Sequence, residues 1–286
     1  MNQASAEPLP AVPGAVPARY NRAGQKLGFF EEWRDVVLHR DLLVSLVHRD
    51  LTIRYKRSPI GFVWTMLHPL LLMGIFVIIF SAIFRFQTPL YPLYFLSQYV
   101  AWAFFAQTTI ESMVSMEWNG SLLKRVRVPR SIFALASTIS GLANLGLSMI
   151  PLALIMVIIG APFRPTLLFL PFSFLVLGIF TLGLSLALSA LSVYFVDVRE
   201  MYKALIPAVM YLTPIIYPIS IVPEQFRWII KLNPMVYLLQ LFRAPVYYGI
   251  IPTPQTIVLS VIMAAAALLI GWMTFRHLAP NFYPHL

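Results

Sequence analysis

Runs of apolar residues long enough to cross a lipid bilayer recur along this chain, and they limit its fold more than any other feature. The hydrocarbon core of a bilayer is ~30 Å thick and takes roughly 20 residues of helix to cross. Inside it, backbone N–H and C=O groups find no water, so helices and closed barrels are the spanning forms available. Runs of this length fall at about 62–84, 93–114, 131–159, 167–194, 204–221 and 255–275. They predict an all-α membrane protein with six transmembrane helices. Composition agrees, since 59% of residues are apolar and 11% are charged, against about a half and a quarter in soluble domains.

The flanks divide the chain further. Residues 1–27 are rich in Ala and Pro and lack the apolar stretch of a secretory signal peptide. They read as a disordered cytoplasmic tail. Residues 28–61 comprise an amphipathic helix, to about Val47, followed by a basic connector. In that helix Phe29, Trp33, Val36, Val37, Leu43 and Val47 recur at helical spacing, with Glu31, Glu32, Arg34, Asp35 and Arg40 between them. It is too charged to span, so it lies in the inner membrane interface or against a partner. Residues 62–276 are the six-helix domain, and 277–286 a cytoplasmic C-terminal tail. Pro207, Pro214 and Pro218 interrupt the fifth run, predicting kinks or a break. Between Val222 and Pro254, Phe226, Trp228, Ile229 and Ile230 mingle with Glu224, Arg227 and Lys231. This mixture predicts short re-entrant or interfacial helices before the last span.

Charge supplies the orientation. In the six-span layout Arg85, Arg164, Arg227, Lys231 and Arg243 fall on one side, and the remaining sixteen of the 21 basic residues on the other. Lys and Arg gather in cytoplasmic loops because they resist translocation, so both termini are expected in the cytoplasm. The formal charge of +10 therefore follows topology, and a nucleic-acid partner loses its support. With no cysteine, neither disulfides nor thiolate metal sites enter the reading.

Several kinds of chemistry find no residues here. No P-loop pattern G-x-x-x-x-G-K-[ST] occurs, so the chain does not cradle nucleotide phosphates in that way. Glu111 is the only carboxylate well inside a span, whereas ion-coupled carriers work through chains of buried ionisable groups. A membrane glycosyl- or acyltransferase would need paired carboxylates or a His/Asp constellation, and His39, His48 and His68 have no such setting. No metal site is expected. Energy for transport would have to come from a separate ATPase.

Four segments occur in an order that resembles a known family. The first runs Arg49-Asp50-Leu51-Thr52-Ile53-Arg54-Tyr55-Lys56-Arg57-Ser58-Pro59-Ile60-Gly61-Phe62-Val63-Trp64, with His68-Pro69-Leu70 beyond. The second is Asn119-Gly120-Ser121-Leu122-Leu123-Lys124-Arg125-Val126-Arg127-Val128-Pro129-Arg130, and the third Tyr194-Phe195-Val196-Asp197-Val198-Arg199. The fourth is Leu212-Thr213-Pro214-Ile215-Ile216-Tyr217-Pro218, with Asn233-Pro234 following. From about Asp41 to Phe275 the chain resembles ABC-2 type permeases, most closely the subgroup exporting O-antigen, capsule and teichoic acid. Val196 departs from the family, which commonly has Arg before Asp197.

The resemblance implies the permease subunit of an ATP-driven exporter in the bacterial inner membrane, moving a lipid-linked polysaccharide outward. It implies a homodimer with two copies of a separate ABC ATPase, and a polyprenyl pyrophosphate carrier as the lipid. ATP and magnesium would sit on the ATPase, with no cofactor on this chain. A permease for a lipid or drug is the nearest alternative.

Within that frame, 116–130 reads as a coupling helix lying along the inner surface. Trp118, Asn119 and Leu122 would face an ATPase groove while Lys124, Arg125, Arg127 and Arg130 meet acidic partner or lipid groups, or these cations only fix topology. Asp197, Arg199 and Glu200 would make a second ATPase contact or a plain turn. Arg54, Tyr55, Lys56 and Arg57 stand at headgroup height, suited to a carrier pyrophosphate or to ordinary anionic lipid. Tyr94, Tyr99, Trp102, Phe104, Phe105, Tyr211 and Tyr217 are candidates for lining a sugar path, since sugar rings stack on aromatic faces; an interfacial belt is the alternative. Ala136, Ser140, Asn144 and Ser148 form a packing stripe at every fourth position.

Overall fold

The computed structural model describes residues 29–56, 61–79, 89–120, 128–279 and 282. All regular structure among the described residues is helical. Two helices begin the described chain, α1 (Phe29–Leu38) and α2 (Arg40–Lys56). The single amphipathic helix expected from 28 to 47 is thus two, parted at His39, whose ring nitrogen Nδ1 lies 2.8 Å from the Asp35 carbonyl. The helix α3 (Gly61–Val77) follows, with Pro69 in its interior. The end of the run expected at 62–84 lies outside the described residues.

Three helices are long and apolar enough to cross a membrane among the described residues. They are α5 (Ile132–Ile158), α6 (Leu170–Tyr194, entered through a tight turn at Pro165–Phe169) and α10 (Pro254–Leu278). Their bounds fall within a few residues of the apolar runs. The helix α4 (Tyr91–Trp118) has 28 residues, about 42 Å at 1.5 Å per residue, but is diluted by Gln98, Gln107, Thr108, Thr109, Glu111 and Ser112. Most of it is enclosed by protein. There polar side chains bond within the helix, as Thr109 does to the Phe105 carbonyl and Ser112 to that of Thr109. A helix sheltered by its neighbours need not be as apolar as one bathed in lipid.

Where sequence predicts a fifth span at 204–221, the chain forms α7 (Asp197–Tyr211) and then leaves the helix. The helix starts seven residues early because Asp197 and Glu200 occupy its first turn, where carboxylates complement the helix dipole. It stops early because Pro214 and Pro218 cannot continue it. Its 15 residues reach about 22 Å, less than the ~30 Å hydrocarbon core. The short helices expected next are α8 (Arg227–Leu232) and α9 (Pro234–Arg243), with one π-helical turn at Ala244–Tyr248.

Packing centres on α4, α6 and α10. A large core joins Phe95, Tyr99, Trp102 and Phe105 of α4 to Leu177 and Phe180 of α6 and to Leu238, Leu239 and Phe242 of α9. A smaller one joins Leu46 of α2 to Met116, Ile132, Phe133, Leu186, Phe275 and Phe282. Lipid tails are as apolar as Leu, so close fit rather than water exclusion favours such contacts. The fit is closest between α6 and α10: a Cβ added at Gly271 would overlap the carbonyl of Gly183. Ala136, Ser140 and Asn144 of the small-residue stripe are buried as well.

Candidate functional site

Two polar assemblies stand at opposite ends of α4, about 35 Å apart at helical rise. The first surrounds its C-terminus. Arg49 of α2 donates from Nη1 to Asn119 Oδ1 at 3.0 Å, and its other nitrogens hold Asp50. Asn119 in turn donates to the Ser115 carbonyl at 2.6 Å. On the other side Arg199, near the start of α7, forms an ion pair with Glu117. It also bonds Glu200, which accepts from Lys203 at 2.9 Å. These hydrogen bonds, Lys203 first and then Arg199, hold the Glu200 carboxyl below its usual range. Between the two gripped residues, Trp118 is 81% exposed.

Of the residues expected to contact an ATPase, Trp118 is therefore free at the surface, whereas Asn119 and Arg199 are bonded within the chain. Arg130 stacks over the Phe282 ring at 5.5 Å, and Asp197 begins α7. Leu122, Lys124, Arg125 and Arg127 lie outside the described residues. Of the headgroup candidates, Arg57 lies outside the described residues, and Arg54, Tyr55 and Lys56 end α2 with only their backbone described.

The second assembly surrounds the break after α7. Thr213 donates from its hydroxyl to the Val209 carbonyl at 2.7 Å and from its amide to that of Met210, while Tyr217 donates to that of Tyr211. These bonds satisfy carbonyls orphaned at the helix end. The four consecutive carbonyls at 214–217 are taken up by other elements. Arg243 Nη2 donates to Pro214 at 3.0 Å and Ile215 at 3.1 Å, the Tyr91 hydroxyl to Ile216 at 2.9 Å, and the Tyr94 hydroxyl to Tyr217 at 3.0 Å. Asn233 caps α9 by accepting from the Met235 amide and donates to Thr213 Oγ1 at 2.8 Å. Thus the segments Leu212–Pro218 and Asn233-Pro234, distant in sequence, are bonded in space. Pro234 at the first helical position lacks the N–H that would have no partner there.

Burial separates the aromatic candidates. Tyr94, Tyr99, Trp102, Phe104 and Phe105 are buried in the core, with Tyr99 stacked on Phe95 at 4.9 Å. Tyr211 is exposed and Tyr217 half-buried, beside the break. Sequence reasoning missed Arg243, which it counted as a loop cation. The signal was present, since Arg243 follows Phe242 within an apolar stretch and an ionisable residue in such a stretch is a functional candidate. It also missed Glu117. Among the described residues no group of His, Asp and Glu is gathered as a metal site.

Residues 41–247 match the family model described as ABC-2 type transporter. The chain belongs to the ABC-2 type transporter family. Both polar assemblies of this ABC-2 chain lie in the matched region. Among its relatives is the O-antigen export system permease protein RfbA of Klebsiella pneumoniae, 32% identical over 212 residues, covering 74% of this chain and 82% of the relative. RfbA of Myxococcus xanthus is 29% identical over 245 residues, covering 84% and 92%. The capsule polysaccharide export inner-membrane protein CtrC of Neisseria meningitidis serogroup B is 24% identical over 222 residues, covering 76% and 83%.

Proposed function

We propose that this chain is the transmembrane permease subunit of an ATP-driven exporter that carries a lipid-linked, O-antigen-like polysaccharide from the cytoplasm across the inner membrane. The observation that carries this reading is its similarity to O-antigen export permeases over 82% and 92% of their length. The absence of a P-loop in the sequence fits a division of labour in which ATP and magnesium are bound by a separate ABC ATPase.

The working unit in this reading is a homodimer with two ATPase copies, since six helices are too few to enclose a sugar chain. Both termini face the cytoplasm, as the distribution of Lys and Arg favours. The helices α3 and α4, and α7 from about Ala204 onward with the irregular chain after it, cross in addition to the three long apolar helices. The exposed Trp118 and the cations of 124–130 dock the ATPase. Arg54 to Arg57 hold the pyrophosphate of a polyprenyl carrier or anionic lipid, and α8 and α9 are re-entrant elements near the outer face. Of the aromatic candidates, Tyr211 and Tyr217 are accessible to a passing glycan.

The test is export in a strain lacking this gene. The chain supplied with its partner ATPase restores glycan at the cell surface, and with an ATPase whose P-loop lysine is replaced it does not. Lipid-linked glycan then accumulates on the cytoplasmic side. Unchanged surface glycan in the deletion strain overturns the assignment.

A further inference from the structure

The helix α7 differs from its neighbours in how it is attached. None of its 15 residues is buried, whereas α4, α5, α6 and α10 all bury residues against the core. Two polar side-chain ties join it to α4: the Arg199–Glu117 ion pair at its start and a hydrogen bond of 2.9 Å from the Tyr202 hydroxyl to Thr109 Oγ1. At its far end it runs directly into the irregular segment Leu212–Pro218. Its Ile206, Val209 and Met210 pack against the large core while only partly buried, and a helix so lightly packed shifts more readily than one interdigitated with a core, because packed interfaces resist gradual deformation.

Glu117 sits where movement from outside would enter. It precedes the exposed Trp118, and Asn119 beyond is gripped by Arg49 of α2. The carboxylate and guanidinium are each about three-quarters shielded from solvent, so the pair is screened less than one at the open surface. Arg199 meets Glu117 through Nη1 while its Nε bonds Glu200, and a charge-assisted hydrogen bond of this kind is roughly twice as strong as a neutral one.

We infer that Glu117 is a positioning residue which, through Arg199, makes α7 follow the C-terminal end of α4 and so carries ATPase movement to the broken segment Leu212–Pro218. This rests on the exporter reading. Glu117 touches neither glycan nor nucleotide. Its part is to keep α4 and α7 in register, so that displacement at Trp118 reaches the break about 20 Å away along α7.

Glu117→Gln keeps the side chain's size and removes its charge, and the chain's lack of cysteine permits a second, covalent test. The complex with its ATPase is assembled in lipid, and glycan export and ATP hydrolysis are measured together. For Glu117→Gln, export per ATP is expected to fall about tenfold, inside the usual range of coupling free energies, with hydrolysis and assembly retained. A Glu117→Cys, Arg199→Cys chain should show the same loss, and a short thiol-to-thiol cross-linker should restore export. Wild-type export per ATP in Glu117→Gln overturns the inference. So does failure of the cross-linked complex to recover, or failure of Glu117→Gln to reach the membrane, which would make the pair a folding requirement only. A wild-type complex that hydrolyses ATP without moving glycan would instead overturn the exporter reading.

Discussion

The guanidinium carbon of Arg243 lies 3.7 Å from the centre of the Tyr94 ring, while the Tyr94 hydroxyl and the Arg243 Nη2 bond neighbouring stretches of one irregular segment. The ring thus supports the cation that, with it, supplies partners to backbone that helix α7 can no longer serve. Arg243→Leu removes the stacked charge and leaves the Pro214 and Ile215 carbonyls without donors. Buried unsatisfied groups cost about 1–3 kcal/mol each, so unfolding in lipid should be easier by about 2–6 kcal/mol. Arg243→Lys should recover part of this, since an ammonium offers a point charge in place of a planar fork. Equal stability of Leu and wild type in an unfolding titration would show that water or another group replaces the arginine.

Tyr91 and Tyr94 serve adjacent carbonyls, Ile216 and Tyr217. Tyr91→Phe and Tyr94→Phe should each cost about 1 kcal/mol, the net worth of a neutral hydrogen bond. The double variant should depart from the sum, because both bonds hold one short segment. Strict additivity in a double-mutant cycle would mean that the two carbonyls move independently.

Length and apolarity made α5, α6 and α10 legible in sequence, because lipid imposes both on a helix it surrounds. The prolines marked the break after α7 for a reason equally local. Other features had no local signal. Nothing at His39 resembles a helix stop, so the parting of α1 from α2 was invisible. Asp197, Arg199, Glu200 and Lys203 read as a polar connection, although 199 and 203 share a helix face and form the first turns of α7. Composition gave the aromatics of α4 without their surroundings. Whether Trp102 meets a lumen, lipid or Phe105, with which it lies at 5.6 Å, depends on helices distant in sequence.

The contact between α6 and α10 separates two kinds of glycine. At Gly271 the partner backbone occupies the place of a side chain, whereas a Cβ at Gly146 meets nothing within 4 Å. Gly271→Val should force the helices apart and cost at least the 1–3 kcal/mol typical of overpacking. Gly146→Ala should be neutral or stabilising by up to ~1 kcal/mol, from helix propensity alone. Thermal stability of the two variants in one lipid checks both signs, and a harmless Gly271→Val would rule out the close approach.

Protonation gives the assembly at the C-terminal end of α4 a defined pH window. Lys203 and Arg199 lower the Glu200 pKa from its ordinary 4.5, so the ion pairs' contribution is whole above that value and fades as pH falls through the lowered one. Assays between pH 6 and 8 should therefore give the same coupling in wild type and no added pH dependence in Glu200→Gln. A change across that range which Glu200→Gln abolishes would contradict the lowered pKa.

Trp118 is exposed between two residues that are held, so the fold has little use for its indole. Large aromatic residues free at a surface are the kind that dominate binding when a partner covers them. Trp118→Ala should leave membrane insertion and thermal stability unchanged, because a surface substitution away from packed features usually costs less than about 0.5 kcal/mol. Retention of the ATPase during purification should fall at least tenfold, the loss expected for an interface residue worth more than about 1.4 kcal/mol. Combining Trp118→Ala with Arg125→Ala should deepen that loss if the cations contact the ATPase. Full retention of the ATPase by the double variant would move the docking surface away from the end of α4 and leave those cations the role of fixing topology.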